Sequence, residues 1–182
     1  MLFKELDIQG VFIIEPKKFG DARGYFMERY RKSIFNREIG PTDFVQDNQS
    51  CSSRGVLRGL HFQKGEFSQA KLVWVLSGRV LDVAVDLRRS SPTFGKYIME
   101  ELSDDNNRML FIPRGFAHGF LVLSDTATFA YKVDNQYAPE HEESIMYNDP
   151  AIGIDWPMRE EELMLSDKDK KGKPFSEAEY FE

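Results

Sequence analysis

The pattern that most restricts the fold of this chain is a succession of short apolar segments separated by turn residues, with almost no helical spacing between them. The clearest is GRVLDVAVDL at residues 78–87, where the even-numbered and odd-numbered side chains occupy opposite faces. This alternation predicts one long strand with an apolar face. Because helices do not separate such segments, the chain lacks the repeat from which parallel sheets are built.

The preceding segment, KLVWVL at residues 71–76, is apolar on both faces apart from Lys71. It is therefore predicted to be a strand covered on both sides, by a second sheet or by a partner subunit. Ser77 and Gly78 are typical turn residues, so the two strands are expected to form a hairpin. Further strands are predicted at residues 10–14, 25–30, 55–63, 94–102, 108–113, 119–124 and 128–133.

Only residues 32–39, KSIFNREI, have helical spacing. Eight or more short strands in this arrangement predict an all-β fold, most simply an antiparallel jelly-roll barrel that closes around one cavity. From about Ala138 the pattern loosens into loops and short helical turns, which we expect to cover the barrel and to bring residues to its mouth. We expect residues 1–182 to form a single domain, since 182 residues with 41% hydrophobic content can bury one core.

Charge and cysteine content restrict the partners. The chain has 24 Lys and Arg against 30 Asp and Glu, a net charge of −6, which argues against general affinity for nucleic acid. No apolar run approaches the ~20 residues that span a bilayer, and the N-terminus lacks the pattern of a signal peptide. The single cysteine, Cys51, cannot form an internal disulfide, so a cytoplasmic location without a membrane partner is expected.

The segment GVLRGLHFQ, residues 55–63, places Arg58 and His61 within an apolar strand. A cation and a titratable ring are costly to bury, so they indicate a pocket for an anionic or ionising ligand. The alternative is a structural ion pair beside a core histidine, and this segment alone does not decide between the two.

A second histidine, His118, lies in PRGFAHGF at residues 113–120, with the spacing of the second metal motif of cupin barrels. The first cupin motif normally supplies two histidines two residues apart. Here the corresponding strand reads His61, Phe62, Gln63, and the third histidine of the chain, His141, lies in an acidic loop. Metal sites usually take three or four protein ligands, so we predict a cupin-like barrel with no metal.

In the predicted strand at 128–133, Tyr131 shares one face with Phe129 and Val133. Considered alone, a tyrosine in such a strand is most simply a core residue. Together with His61, Lys71 and His118 on inward faces, however, it would complete a cavity with a base, a cation and a phenolic acid. This set suits removal of a proton next to a carbonyl group, stabilisation of the enolate oxygen and return of a proton.

These residues lie within longer stretches that resemble the dTDP-4-dehydrorhamnose 3,5-epimerase family. The stretches occur in the family's order through nearly the whole chain: DARGYFMERY (21–30), QDNQSCSSRGVLRGLHFQ (46–63), QAKLVWVLSGRVLDVAVDLRRSSPTFG (69–95), IPRGFAHGFLVLSDTATFAYKVDNQYAPEHEE (112–143), DPAIGIDWP (149–157) and LSDKD (165–169). The resemblance implies an isomerase that inverts C3 and C5 of dTDP-4-keto-6-deoxyglucose on the way to dTDP-rhamnose, a reaction that needs no cofactor.

The resemblance also implies roles for residues at matching positions. His61 matches the general base, Asp169 the carboxylate paired with it, Tyr131 the proton donor on the opposite face of the sugar, and Lys71 the residue beside the C4 oxygen. His118 lies in the same pocket, and Tyr137 matches the ring that stacks on thymine. The other positions implied to hold the substrate are Arg23, Glu28, Gln46, Asp47, Asn48, Arg58, Glu142 and Lys168.

The resemblance further implies a homodimer with exchanged N-terminal strands, in which Arg23 and Glu28 reach the neighbouring site. Trp74 stands where many family members have arginine, and it is expected to face away from Lys71. In an unbroken strand Arg58 and His61 would point to opposite faces, so a bulge or kink at Gly59 is predicted.

Other functions remain compatible with the sequence alone. They are epimerisation at one carbon only, ketone isomerisation on the same scaffold, binding of a nucleotide sugar without catalysis, and a metal-dependent cupin activity.

Overall fold

A computed structural model describes residues 1–182 and contains thirteen strands, one α-helix and five short 3₁₀ turns. The strands are β1 (Leu2–Glu5), β2 (Phe12–Glu15), β3 (Lys18–Asp21), β4 (Gly24–Met27), β5 (Gln46–Ser53), β6 (Leu57–Gln63), β7 (Lys71–Ser77), β8 (Arg79–Asp86), β9 (Tyr97–Ser103), β10 (Met109–Ile112), β11 (Phe116–Val122), β12 (Thr126–Val133) and β13 (Glu142–Ser144). The helix α1 spans Lys32–Glu38, and the 3₁₀ turns are Gly65–Phe67, Pro139–His141, Glu160–Glu162, Asp169–Lys171 and Phe175–Glu177.

Two antiparallel sheets face each other and form the predicted jelly-roll barrel. One has six strands in the order β1-β2-β10-β7-β12-β5, and the other has five in the order β13-β6-β11-β8-β9. The main core lies between them, where Val73 and Phe129 of the first sheet meet Ala84 and Phe120 of the second. The rings of Phe120 and Phe129 stack with centroids 4.2 Å apart and so link the two sheets.

The hairpin predicted between residues 71–76 and 78–87 is wrong. β7 pairs with β10 and β12 in the six-stranded sheet, whereas β8 pairs with β9 and β11 in the five-stranded sheet. Gly78 turns the chain from one sheet to the other at φ +83°, and a Cβ there would lie 2.1 Å from the carbonyl oxygen of Thr126. The turn signal was correct, but a tight turn can also be a corner between two sheets.

The two faces of β8 are both buried, for different reasons. Val80, Asp82 and Ala84 point into the barrel, so the face that carries carboxylates is the inward one. The opposite, wholly apolar face contributes Val83, Val85 and Leu87 to a second core, formed with residues of the segment after residue 138. This confirms that the C-terminal part of the chain covers the barrel.

Strand β7 is also covered on both sides. Val73 and Val75 face the main core, and Leu72 packs with Phe35 of α1 on the outer side. At Leu72 the outer cover therefore comes from the same chain. Trp74 lies on this outer face, opposite Lys71 as predicted.

The strand predicted at 25–30 is shorter, because β4 ends at Met27. It pairs only with β3, and this two-stranded hairpin exposes Phe19, Tyr25 and Phe26. The helices of the chain are all too short or too polar to span a membrane.

Candidate active site

A cavity of about 440 Å³ opens at one end of the barrel, between the two sheets. It is lined mainly by polar and charged side chains, and it brings together most of the residues predicted for the site. From the six-stranded sheet come Asn48, Lys71 and Tyr131; from the five-stranded sheet Arg58, His61, His118 and Glu142; and from loops and the C-terminal segment Tyr137, Ser166, Lys168 and Asp169.

The predicted irregularity at Gly59 is present. His61 lies opposite His118 and Arg58 lies opposite Phe120, so Gly59 and Leu60 together oppose only Gly119. This bulge restores Arg58 and His61 to one face of β6, and both line the cavity. Gly59 has φ +135°, and a Cβ there would lie 2.6 Å from the Cα of Gly119.

His61 contacts Asp169, which the C-terminal segment carries into the cavity. His61 Nε2 lies 2.7 Å from Asp169 Oδ1, in a close contact whose angle is poor for a straight hydrogen bond. Asp169 also accepts hydrogen bonds from the Gly59 N–H (3.1 Å) and the Ser166 hydroxyl (2.5 Å). Burial would raise the pKa of Asp169, but the contacts with His61, Ser166 and Gly59 lower it to about 2. Asp169 is thus held as a carboxylate that orients the ring of His61.

Lys71, His118 and Asp82 form a second charged group at the cavity wall. Burial lowers the pKa of Lys71 to about 8, against the opposing influence of Asp82 and Glu142. His118 Nε2 lies 2.9 and 3.0 Å from the two carboxylate oxygens of Asp82. Burial lowers the pKa of His118 and raises that of Asp82, although each stabilises the charged form of the other. With this pKa, Lys71 is mostly a buried ammonium group at pH 7, and such a positive charge suits a place where negative charge develops.

Tyr131 faces this group from β12. Burial and the nearby Glu142 raise its pKa, so the phenol keeps its proton and can donate it. On the facing sheet Arg58 donates hydrogen bonds to the Ser52 hydroxyl at 3.1 and 3.2 Å, and its guanidinium borders the cavity. The wall therefore combines a protonated phenol with a fixed positive charge.

At the mouth of the cavity, Glu142 connects Tyr137 and Lys168. The Tyr137 hydroxyl donates to Glu142 Oε2 at 2.6 Å, and Lys168 Nζ lies 2.5 Å from the same oxygen. The bond to Glu142 raises the pKa of Tyr137 to about 12. The ring of Tyr137 is nevertheless 53% exposed, so it offers a free face at the entrance.

The sequence profile of the dTDP-4-dehydrorhamnose 3,5-epimerase family matches residues 5–177. The chain belongs to this family. It is thus an isomerase, as the sequence predicted. A dTDP-4-dehydrorhamnose 3,5-epimerase from Pseudomonas aeruginosa is 53% identical over 177 residues, which cover 97% of each chain.

Solved structures of dTDP-sugar epimerases agree with the fold. The dTDP-4-dehydrorhamnose 3,5-epimerase from Elizabethkingia anophelis superimposes with a TM-score of 0.95 at 51% identity over 99% of both chains. A dTDP-6-deoxy-D-glucose-3,5-epimerase from Legionella pneumophila, in complex with dTDP-4-keto-L-rhamnose, gives a TM-score of 0.94 at 48% identity, covering 98% of this chain and 94% of that chain. The barrel and its C-terminal cover are therefore those of the epimerase family.

Four of the predicted substrate-binding residues of this family member do not line the cavity of the single chain. Arg23 and Glu28 lie on or just after the β3–β4 hairpin, where they pair with Asp21 and Arg31. Gln46 lies beside the mouth and accepts a hydrogen bond from the Tyr137 N–H. Asp47 pairs with Lys132 on the outer face of β5, because strand alternation turns it away from Asn48.

Sequence reasoning missed Asp82, Ser52 and Ser166, which support His118, Arg58 and Asp169 respectively. For Asp82 a signal existed, since alternation places it on the face of β8 that also carries Ala84. The two serines gave no such signal. Their partners Arg58 and Asp169 lie only a few residues along the chain, but a serine does not show by its residue type which side chain it will bind.

Proposed function

We propose that this protein epimerises C3 and C5 of dTDP-4-keto-6-deoxyglucose, with His61 as the base, Tyr131 as the acid and Lys71 beside the C4 oxygen. The observation that carries this proposal is the position of His61 and Tyr131 on facing sheets of one cavity. Inversion requires removal of a proton from one face of a carbon and its return to the other. A base and an acid on opposite walls meet that requirement.

In the proposed first step, neutral His61 removes the proton from a carbon next to the C4 ketone. The electron pair of the C–H bond forms the C=C bond of the enolate, and the π pair of the C4 carbonyl moves to its oxygen. The Lys71 ammonium stabilises the enolate oxygen. Asp169 stabilises the imidazolium that forms at His61, as their 2.7 Å contact allows. Tyr131 then protonates the carbon from the opposite face, and solvent restores both groups before the second carbon reacts. The substrate is neither oxidised nor reduced, so the proposal includes no redox cofactor.

Substrate binding is proposed to use the cationic and aromatic groups around this centre. Arg58 would bind the anionic diphosphate, since its guanidinium borders the cavity and gives forked donors. Tyr137 would stack on the thymine at the mouth. His118, Asn48, Glu142, Lys168 and Gln46 would complete the pocket for the sugar and nucleoside.

The proposal includes a homodimer in which Arg23 and Glu28 complete the neighbouring site. The aromatic residues of the β3–β4 hairpin are exposed, with Phe26 70% accessible, and they would be buried by a second copy. Arg23 lies at the tip of this hairpin. A cytoplasmic location also belongs to the proposal, supported by the lone Cys51.

Proton exchange tests the mechanism. In D₂O with dTDP-4-keto-6-deoxyglucose, NMR is expected to show deuterium at both C3 and C5 with the wild-type protein, and none with His61→Ala. Tyr131→Phe should retain exchange but lose inverted product by about 10²-fold or more, because the base remains and the second-face proton donor is absent. Tyr97→Phe is the matched control, since its hydroxyl contacts the Gly153 carbonyl away from the cavity.

Exchange at one carbon only would replace the proposal with a single-carbon epimerase. No exchange at either carbon would reject the catalytic mechanism. Equal loss of exchange and product in Tyr131→Phe would remove the separate acid role of Tyr131.

A further inference from the structure

Gln63 connects the catalytic strand to the loop at the cavity mouth. It lies two residues after His61 on β6, and it is 4% exposed. Its Nε2 donates to the carbonyl oxygens of Phe67 (2.7 Å) and Gln136 (3.1 Å), and its Oε1 accepts from the Ala138 N–H at 2.7 Å. Both donor hydrogens and the oxygen of this buried amide are thus used to hold other parts of the chain.

Two of these bonds enclose Tyr137. Gln63 binds the carbonyl of the residue before Tyr137 and the N–H of the residue after it. The N–H of Tyr137 donates to Gln46 Oε1 at 3.2 Å, and its hydroxyl is held by Glu142. The backbone on both sides of Tyr137 and the end of its side chain are therefore fixed, although the ring itself is largely exposed.

An exposed aromatic ring held in one orientation presents its face to a ligand that can stack on it. A free aromatic side chain on a loop would lose conformational freedom on binding, and fixing it beforehand removes that loss. The mouth position and the free face suit a planar heteroaromatic base. The remainder of the cavity is polar and cationic, which suits the phosphates and the sugar.

We infer that Gln63 is a positioning residue for nucleobase recognition, which acts through Tyr137 by fixing the peptide groups on either side of it. This inference rests on the proposed function, since it takes Tyr137 as the thymine platform. It also accounts for the amide at this place in β6, two residues after His61. The side chain links the strand that carries the base to the loop that selects the nucleotide.

The test compares Gln63→Met, Tyr137→Ala and the double variant. Binding of dTDP and of inorganic pyrophosphate is measured by calorimetry, and kcat and KM are measured with the nucleotide sugar. Gln63→Met is expected to weaken dTDP binding about five- to tenfold and to leave pyrophosphate binding unchanged. KM should rise by a similar factor while kcat stays near the wild-type value.

The double variant shows whether Gln63 affects dTDP binding by positioning Tyr137 or by stabilising the loop in general. If Gln63 acts through Tyr137, Gln63→Met has no further effect on dTDP affinity once Tyr137 is alanine. Asn106→Leu is the control, because the Asn106 amide also holds a loop, through hydrogen bonds to the backbone of Glu101, Ser103 and Arg108, but lies away from the cavity. It should leave dTDP affinity within about twofold of wild type.

An undiminished effect of Gln63→Met in the Tyr137→Ala background would overturn the inference, and so would a loss of kcat with unchanged KM. An unchanged dTDP affinity in Tyr137→Ala would overturn the proposed thymine platform itself, and the inference with it. If Gln63→Met does not fold, Gln63→Glu takes its place in the same cycle, since it keeps the acceptor for the Ala138 N–H but loses both donors.

Discussion

At the scale of single residues, the site depends on how its charged groups are supported. Asp169 uses both carboxylate oxygens, one for His61 and the Gly59 N–H and the other for Ser166. Each contact favours the ionised carboxylate, which is why the pKa falls to about 2 despite burial. The base therefore has a fixed anionic partner at every pH well above 2.

Asp169 should make stability depend on pH. Its folded pKa of about 2 lies below its ordinary value of 3.8, so its contribution is present above about pH 4 and is lost as the pH falls towards 2. Asp169→Asn is expected to cost about 2 kcal/mol in the free energy of unfolding at pH 7. Urea denaturation at a series of pH values should show this difference shrinking below pH 4. A difference that stays constant down to pH 2.5 would contradict the prediction.

Lys71 should set the alkaline limit of activity. With a pKa of about 8, its ammonium loses its proton above that pH, and kcat/KM should then fall about tenfold per pH unit. In Lys71→Arg the guanidinium stays charged, so the fall of kcat/KM at high pH should disappear, even though the altered geometry lowers the rate. The measurement is kcat/KM from pH 6 to 9.5. If kcat/KM still falls above about pH 8 in Lys71→Arg, the fall is due to another group.

For several site residues, the sequence predicts that the side chain points into the cavity, because this direction follows from strand alternation. Lys71 and Tyr131 point inward with the parity of their strands, and His61 does so after the bulge at Gly59. Ser166 and Gln63 could not be found in this way. Gln63 bonds to Gln136 and Ala138, far along the chain, whereas Ser166 bonds to the nearby Asp169. Neither residue type identifies its partner.

At the scale of elements, the local sequence does not determine which strands a turn connects or where a polar strand lies. Gly78 was correctly predicted to turn the chain, but local residues do not determine whether the next strand pairs with the previous one or enters the other sheet. Strand β5 was not predicted at all, because its sequence QDNQSCSS is polar on both faces. Its inward face carries Asn48 and Ser52, which serve the cavity instead of the apolar core.

The bulge on β6 should tolerate no side chain at Gly59. Gly59→Ala requires an unfavourable φ of +135° and places a Cβ 2.6 Å from the Gly119 backbone, so a cost of about 3 kcal/mol or more is expected, with loss of exchange activity. Gly24→Ala is the matched control, because Gly24 has φ +132° with no atom within 4 Å of the added carbon. Urea midpoints should separate the two variants. Equal costs would show that φ alone, and not the close approach of β11, requires glycine.

At the scale of the whole molecule, the single chain leaves Arg23 and its exposed aromatic hairpin outside the cavity. The sequence predicted the barrel, its C-terminal cover and most of the cavity wall. Contacts between chains are beyond what one chain's geometry contains, so the homodimer stays a prediction.

Mixing two inactive variants tests this dimer. Arg23→Glu and His61→Ala should each be inactive as homodimers. A heterodimer, however, would contain one site in which His61 is intact and the β3–β4 hairpin of the neighbouring subunit supplies an intact Arg23. After random exchange of subunits, about half of the dimers are heterodimers, and each has one working site of two. About one quarter of wild-type activity should therefore return if the interface is symmetric and each β3–β4 hairpin completes the neighbouring site. Sedimentation of each variant confirms that dimers form. Arg23→Glu protein that remains fully active, or mixtures that remain inactive, would count against sites shared between subunits.

The two walls of the cavity belong to different sheets, and the stacked rings of Phe120 and Phe129 link those sheets beneath it. On the proposed mechanism, the gap between the proton acceptor and the proton donor is therefore set by hydrophobic packing below the substrate. Stereochemical fidelity then becomes a property of the core. Substitutions among buried aromatic residues could shift the ratio of singly to doubly inverted sugar while every reacting side chain stays unchanged, which gives evolution a route to new epimer selectivity without altering the catalytic groups.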